Sequence, residues 1–307
     1  MRLKGIISIL LFTLISFEIV AQTTDLARVE YFYLPYSKSK NTVSRFRSLI
    51  QVPIPLDEEK KEIFVIGLEY RHVDIDINDK HDVVAFDNNL VTSTQSMYGF
   101  LGYVWKGKNE WRYGIRAGVK LESDLEGNPI KDDFIYEIGA YFIKDKRRNL
   151  SEGEKPYRLI IGLIYSTVPG RWYPLPLINY YKKFSRNWTY TLGIPKTNIR
   201  HYLNDSHKDG IQVFATIENI YANIQQGFAP NSPTDNPDQK FAESIQHTSG
   251  VIGVGYEHFF TEQLLFYAYA AQSIYSDFRL EDGDGNRIYK INTANSPYYR
   301  VGLKFKY

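Results

Sequence analysis

Between Trp111 and Glu122 the chain reads WRYGIRAGVKLE, and its residues sort cleanly by parity. Trp111, Tyr113, Ile115, Ala117, Val119 and Leu121 take the odd positions, whereas Arg112, Gly114, Arg116, Gly118, Lys120 and Glu122 take the even ones. Successive side chains of a β-strand point to opposite faces, so this segment has one apolar face and one charged or glycine face. Its twelve residues exceed the usual globular strand of about 5–6 and suit a tilted membrane strand of about 9–11. The closing residues repeat the design. Tyr299, Val301, Leu303, Phe305 and Tyr307 share one face; Tyr298, Arg300, Gly302, Lys304 and Lys306 share the other.

Comparable runs recur at 27–36, 43–54, 63–73, 95–105, 134–143, 157–166, 177–184, 188–194, 199–203, 211–224, 248–259 and 264–274. With the first two, they predict an all-β protein: a transmembrane, antiparallel, up-and-down β-barrel of about fourteen strands. Prolines interrupt 169–203, which leaves twelve as the alternative. If the first strand runs outward, the short connections 57–61, 106–110, 184–187 and 260–263 all fall in the periplasm. The long polar stretches 74–92, 227–245 and 276–296 all fall outside the cell, as such barrels require. The charged connection 144–155 is the exception, being long and on the periplasmic side.

The first residues set the compartment. Arg2 and Lys4 precede a short apolar run, and Ala21 offers a small residue before Gln22. That predicts a cleaved signal peptide at 1–21 and an outer-membrane barrel over 22–307, exported through the periplasm. Composition narrows the class further. Aromatic residues make up 15% of the chain (25 Tyr and 18 Phe), yet mean hydropathy is negative. A barrel strand needs only every second residue apolar, so the combination suits a barrel. The absence of cysteine excludes a disulfide-stapled secreted domain and a lipoprotein. A net charge of +2 without a basic tract argues against nucleic acid as a partner.

The block PLPLINYYKKFSRNWTYTLGIPKTNIRHYL, from Pro174 to Leu203, followed by the strand at Ile211, resembles an uncharacterised outer-membrane β-barrel family of Bacteroidota, domain of unknown function 6268. The ending Val20-Ala21-Gln22 is similar to signal-peptide ends of Bacteroidota envelope proteins. The resemblance implies an envelope barrel and brings no activity or functional residue. The aromatic ending on Tyr307 resembles the signal that barrel-assembly machinery reads, which makes that machinery and outer-membrane lipid the expected partners of a monomer.

Three candidate sites follow. The polar strand faces carry Arg45, Arg47, Glu69, Arg71, Arg112, Arg116, Lys120, Glu122, Glu137, Arg158, Glu257, Arg300 and Lys304. Bases outnumber acids in that set, so a water-filled lumen lined by them favours small anions. The same charges, paired with one another, instead close a narrow barrel. Passive passage of small polar solutes is the leading expectation, and a closed structural or binding barrel is an alternative. A second alternative is a lipid hydrolase. His247 and Ser249 stand two apart on one strand face, with Glu257 as a possible orienting acid, a spacing similar to that of lipid A deacylases and outer-membrane phospholipases. Third, Asp282-Gly283-Asp284-Gly285-Asn286 has alternating oxygen ligands, but Arg287 and Thr293 stand where a calcium loop needs glycine and glutamate. A tight turn is the expectation there, and no metal or cofactor is implied. Trp105, Trp111, Trp188 and Tyr307 sit near proposed strand ends, as interface aromatics do.

Overall fold

The computed structural model describes residues 25–36, 41–77, 91–147, 150, 153–169, 174–228, 240–292 and 294–306. The signal segment 1–21 and Tyr307 lie outside the described residues. The first strands are β1 (Asp25–Tyr36), β2 (Asn41–Pro55), β3 (Glu62–Asp76), β4 (Ser93–Lys106) and β5 (Trp111–Ser123). Next come β6 (Phe134–Lys146), β7 (Tyr157–Ser166), β8 (Leu175–Lys183), β9 (Trp188–Ile194) and β10 (Lys196–Tyr202). The last are β11 (Asp209–Phe228), β12 (Ala242–Phe259), β13 (Leu264–Glu281), β14 (Arg287–Asn292) and β15 (Pro297–Lys306).

Each strand from β1 to β13 pairs antiparallel with the next, β13 pairs with β15, and β15 returns to β1. The ring is therefore a closed barrel of fourteen strands, with β14 paired to the outer end of β13. Closure removes the sheet edges that a membrane would leave unsatisfied. The connections at 56–61, 107–110, 184–187, 203–208 and 260–263 gather at one rim, here the turn rim. The opposite end is the loop rim.

Over the lower part of the barrel the outward face is apolar. Ile66, Leu101, Ile115, Ile138, Leu163 and Val254 are all exposed there. Towards the turn rim this band ends in aromatic rings in mutual contact. Tyr103, Trp105, Tyr113 and Phe142 form one run, and Tyr157, Tyr180, Tyr190, Phe184 and Trp188 another. Trp105 and Trp188 thus sit in an aromatic belt of the kind found at membrane interfaces, and Trp111 lies under the Lys144 ammonium at 5.5 Å. Inside, Gly118 lies beneath the Tyr98 and Phe100 rings. A Cβ there would stand 2.7 Å from the Gly99 carbonyl oxygen and 2.8 Å from Phe100 Cβ.

Higher up, the polarity of the wall inverts. On β11 the outward series Ile211, Val213, Ile217 gives way to Asn219, Asn223 and Gln225, while the inward series Gln212, Glu218 gives way to Ile220, Ala222 and Ile224. On β3 Glu69 and Arg71 face in below Val73 and Ile75, whose outward neighbours are His72, Asp74 and Asp76. On β13 a register shift exposes both Ile274 and Tyr275, after which Ser276, Phe278 and Leu280 point inward. Below the inversion the wall is built for lipid outside; above it, for water outside and a dry interior. The apolar-out part of β12, residues 251–259, matches the roughly 9–11 residues of a tilted membrane strand. The segment expected as a loop at 227–245 therefore holds strand at both ends, and the one at 276–296 holds the end of β13 and all of β14, because β11, β12 and β13 continue beyond the membrane.

The loop rim is also cinched. β7 to β10 are short, and above them β11 leans across to β5, where Asn223 pairs with Ser123 in parallel register. Asp133, from a single 3-10 turn at Lys131–Asp133, holds this clasp. Its carboxylate accepts hydrogen bonds from Asn223 Nδ2 and Gln225 Nε2, each at 2.8 Å, and from the Ile130 amide at 2.8 Å. Gln225 also donates its amide to Asp124 at 3.2 Å. Burial alone would raise the Asp133 pKa, but these donors more than offset it and hold the carboxyl below its ordinary value of 3.8. A depressed carboxyl contributes stability above its unfolded pKa and loses it as pH falls through the folded one. The 124–133 segment is thus expected to resist proteolysis at pH 6 and loosen only in acid below about 3.8. Asp133→Ala should loosen it at both pH values. Equal cleavage of wild type and variant at pH 6 would disprove the clasp.

Candidate functional site in the barrel interior

Alternation places the predicted lumen charges on the inward face, and register then brings the residues of adjacent strands together. Glu30 on β1 is the hub of the main network. Arg45 Nη2 lies 3.1 Å and Arg47 Nη1 3.5 Å from its Oε1, while Arg28 Nη1 lies 3.8 Å and Arg300 Nη1 4.0 Å from its Oε2. The Tyr267 hydroxyl donates to Glu30 Oε2 at 2.7 Å. Glu218 on β11 reaches across the interior to Arg45 Nη2 at 3.2 Å and pairs closely with Arg300. Glu69 takes Arg47 Nη2 at 2.6 Å and pairs closely with Arg71. Arg45, Arg47, Glu69, Arg71 and Arg300 thus belong to one continuous network.

A second network centres on Glu137, which accepts from Arg116 Nη2 at 2.6 Å and from the Tyr98 hydroxyl at 2.8 Å, with Lys120 Nζ at 3.3 Å. A third centres on Glu257, which accepts from Gln212 Nε2 and the Tyr269 hydroxyl, each at 2.7 Å, with Arg200 Nη2 at 2.7 Å. The remaining predicted positions are more dispersed. Arg112 donates to the Lys60 carbonyl at 3.1 Å near the turn rim, and Arg158 reaches Asn179 Oδ1 at 3.5 Å. Lys304 lies 3.8 Å from Asp25. Glu122 is buried near the outer end of β5.

Three acids outside the predicted set pair with its bases, although Arg28, Lys196 and Arg200 on the same face keep bases in excess. Asp25, Glu30 and Glu218 face the same interior, and each neutralises bases in that set. Glu218 shares its parity with Gln212 opposite an apolar face, a signal the sequence carries, whereas Glu30 shares its parity with the apolar Phe32 and Leu34. Arg28, Lys196 and Arg200 were passed over too; the Lys196 ammonium sits 4.6 Å from the Tyr269 ring centroid.

Above these networks the interior is dry. Phe32, Leu34, Tyr36, Ile75, Ile245 and Phe278 belong to one apolar cluster, each no more than 5% exposed. His247 and Ser249 sit within this layer. His247 Nε2 pairs with the Tyr36 hydroxyl at 2.6 Å, and that hydroxyl lies 3.0 Å from Ser276 Oγ. Ser249 Oγ and His247 Nδ1 meet no hydrogen-bond partner among the described residues. The expected orienting acid is elsewhere: Glu257 lies ten residues down the same strand, about 33 Å away at about 3.3 Å per residue, and holds Arg200. Nucleophile, base and acid are therefore not assembled, and residues 2% and 0% exposed offer a lipid no access. The 282–286 segment forms the expected turn between β13 and β14. Gly285 donates to the Asp282 carbonyl at 2.9 Å, and Asn286 to Asp282 Oδ1 at 2.7 Å.

No protein-family model matches the chain, and no curated protein matches it in sequence. Solved structures of similar architecture are outer-membrane barrels. An outer membrane channel from Pseudomonas putida F1 is 7% identical with a TM-score of 0.41, and the match covers 94% of this chain and 97% of that one. LpxR from Salmonella typhimurium is 8% identical with a TM-score of 0.37, covering 92% and 100%. The KdgM porin in complex with disordered oligogalacturonate is 9% identical with a TM-score of 0.35, covering 91% and 99%. Identities this low carry no activity from those proteins to this one.

Proposed function

We propose that this chain is a bacterial outer-membrane barrel with its turn rim in the periplasm and its outer end held shut, working as a closed structural or binding barrel. The apolar interior above the polarity inversion carries this reading. An ion crossing there would pass Phe32, Leu34, Ile245 and Phe278 without water or fixed counter-charge, which is costly in a dry interior. The orientation rests on the short connections gathered at one rim. Refolded protein in planar bilayers is expected to give no conductance at neutral pH, although correctly inserted. Stable open steps at neutral pH would overturn the closed reading.

A second reading, a gated path for small anions, draws on one observation. The Arg116 side chain keeps 29% of its surface, against 4% for Arg45, so the interior beside β5 and β6 is the more hydrated part. Openings confined to acid, where the Asp133 clasp loosens, would favour this reading over a permanently closed barrel.

A further inference from the structure

The outward wall is not convex throughout. A groove of about 770 Å³ crosses the membrane face from β1 to β9 by way of β15, β13, β12, β11 and β10. It follows the ladder. One residue from each of these strands lies on a single rung, beginning at Tyr31, passing Ala268 at the middle and ending at His201 and Trp188. The next rung begins at Tyr33 and passes Ala270. The two alanines of β13 leave the floor low. The rung through Tyr31, Tyr256 and His201 forms one bank, and the rung through Tyr33, Tyr299 and Val254 the other.

The shape is that of a channel for a chain. Six inter-strand spacings of about 4.8 Å give a path of about 29 Å. Strands tilted by about 35–45° make their rungs oblique too, so the path descends through the apolar band towards the turn rim. Its lower end is polar. His201 lies against Trp188 with ring centroids 4.4 Å apart and planes tilted by 35°, and its Nδ1 is buried with no hydrogen-bond partner among the described residues. Arg186, two residues before Trp188, pairs with Asp205 at 3.3 Å on the neighbouring turn. Asp209 accepts from the Tyr256 hydroxyl at 2.6 Å and lies 2.7 Å from His258 Nδ1. Both signs of charge therefore stand where a lipid headgroup would lie. A second groove, of about 640 Å³, crosses β3 to β7 over Gly99 and Ala117.

We propose that the groove holds one acyl chain of a zwitterionic phospholipid from the periplasm-facing leaflet, its phosphate meeting His201 and Arg186 and its ammonium meeting Asp205. The assignment rests on the membrane orientation proposed above and is independent of whether the barrel conducts. A purely anionic headgroup would satisfy the bases but meet the carboxylates of Asp205 and Asp209.

Native mass spectrometry of the full barrel tests this, after insertion into discs of mixed phosphoethanolamine and phosphoglycerol lipids and release into mild detergent. Heat-modifiable gel mobility first establishes that each variant is folded and inserted, so a failed orientation or fold is separated from a failed site. Wild type is expected to retain one phosphoethanolamine lipid. Ala268→Leu with Ala270→Leu, which fills the groove, should lower retention at least tenfold, while Ala117→Leu in the other groove should leave it unchanged. If the paired variant does not fold, Ala270→Leu alone should still lower retention severalfold. Arg186→Ala with His201→Ala should abolish the preference for phosphoethanolamine over phosphoglycerol. Equal retention by the groove-filled and wild-type proteins would overturn the site, and a dimer mass in place of a lipid adduct would assign the groove to a second copy of the chain. An unchanged headgroup preference in the last variant would overturn the assigned polar contacts.

Discussion

Glu30→Ala should destabilise the barrel by about 3–5 kcal/mol, the usual consequence of removing one partner from a buried ion cluster. The substitution removes a carboxylate that is 2% exposed and shared by Arg28, Arg45, Arg47 and Arg300. Glu218, Glu69 and Asp25 remain, but they already hold those bases, so uncompensated positive charge stays inside. The cost comes from stranding the arginines and not from any large net worth of the intact cluster, since buried pairs contribute little over well-packed apolar groups. Glu30→Gln keeps an acceptor for the Tyr267 hydroxyl and isolates the charge. Glu137→Ala is the internal comparison. It also strands bases, but the Arg116 side chain is 29% exposed and water can solvate it, so a loss of about 1 kcal/mol is expected. Urea midpoints of folded barrel in liposomes decide the matter. Equal losses for the two alanine variants would mean that the Glu30 cluster is as hydrated as the Glu137 one.

The contrast between those two carboxylates marks the limit of what the chain alone reveals. Parity told that Glu137, Arg45 and Arg300 face inward, because each stands on a strand whose other face is plainly apolar. Parity could not tell which charge meets which. That depends on how far strands from opposite sides of the ring approach, as in the pair between Arg45 and Glu218, 173 residues apart. Glu30 escaped notice for a related reason. On β1 the inward residues above it are Phe32, Leu34 and Tyr36, so both faces are apolar and the alternation that exposes a polar face is lost.

The same inversion explains why β11, β12 and β13 ran longer than expected. The runs expected over 211–224 and 248–259 leave 225–247 outside the strands, because Gln225, Gln226, Glu243 and Gln246 break the alternation. The strands nevertheless continue, with Ile220, Ala222, Ile245 and Val251 on the opposite parity. A strand that leaves a membrane for water exchanges its apolar face from outside to inside while its hydrogen-bond ladder runs on. Fourteen strands were legible because each keeps at least one membrane-facing run. The cap was not, because its pattern is that of a water-soluble barrel grafted in phase onto a membrane one.

Phe278→Ala tests whether that cap is what shuts the barrel. Phe278 is 1% exposed, and its ring stands edge-on to His247 with centroids 5.4 Å apart. Truncating a buried phenylalanine costs about 3–5 kcal/mol through lost transfer energy and the cavity left behind. A comparable truncation of Phe142, half-exposed on the lipid face, should cost clearly less, because lipid refills the space. Phe278→Ala combined with Leu280→Ala removes two neighbouring inward side chains and makes room beside His247, Ser249 and Ser276, whose polar atoms can then recruit water. Bilayer recordings should show brief openings in this double variant and none in wild type or Phe142→Ala. If the double variant folds, loses stability as expected and stays silent, the seal lies lower, among the arginines around Glu30 and Glu218. The apolar layer would then be a folding core and not a gate.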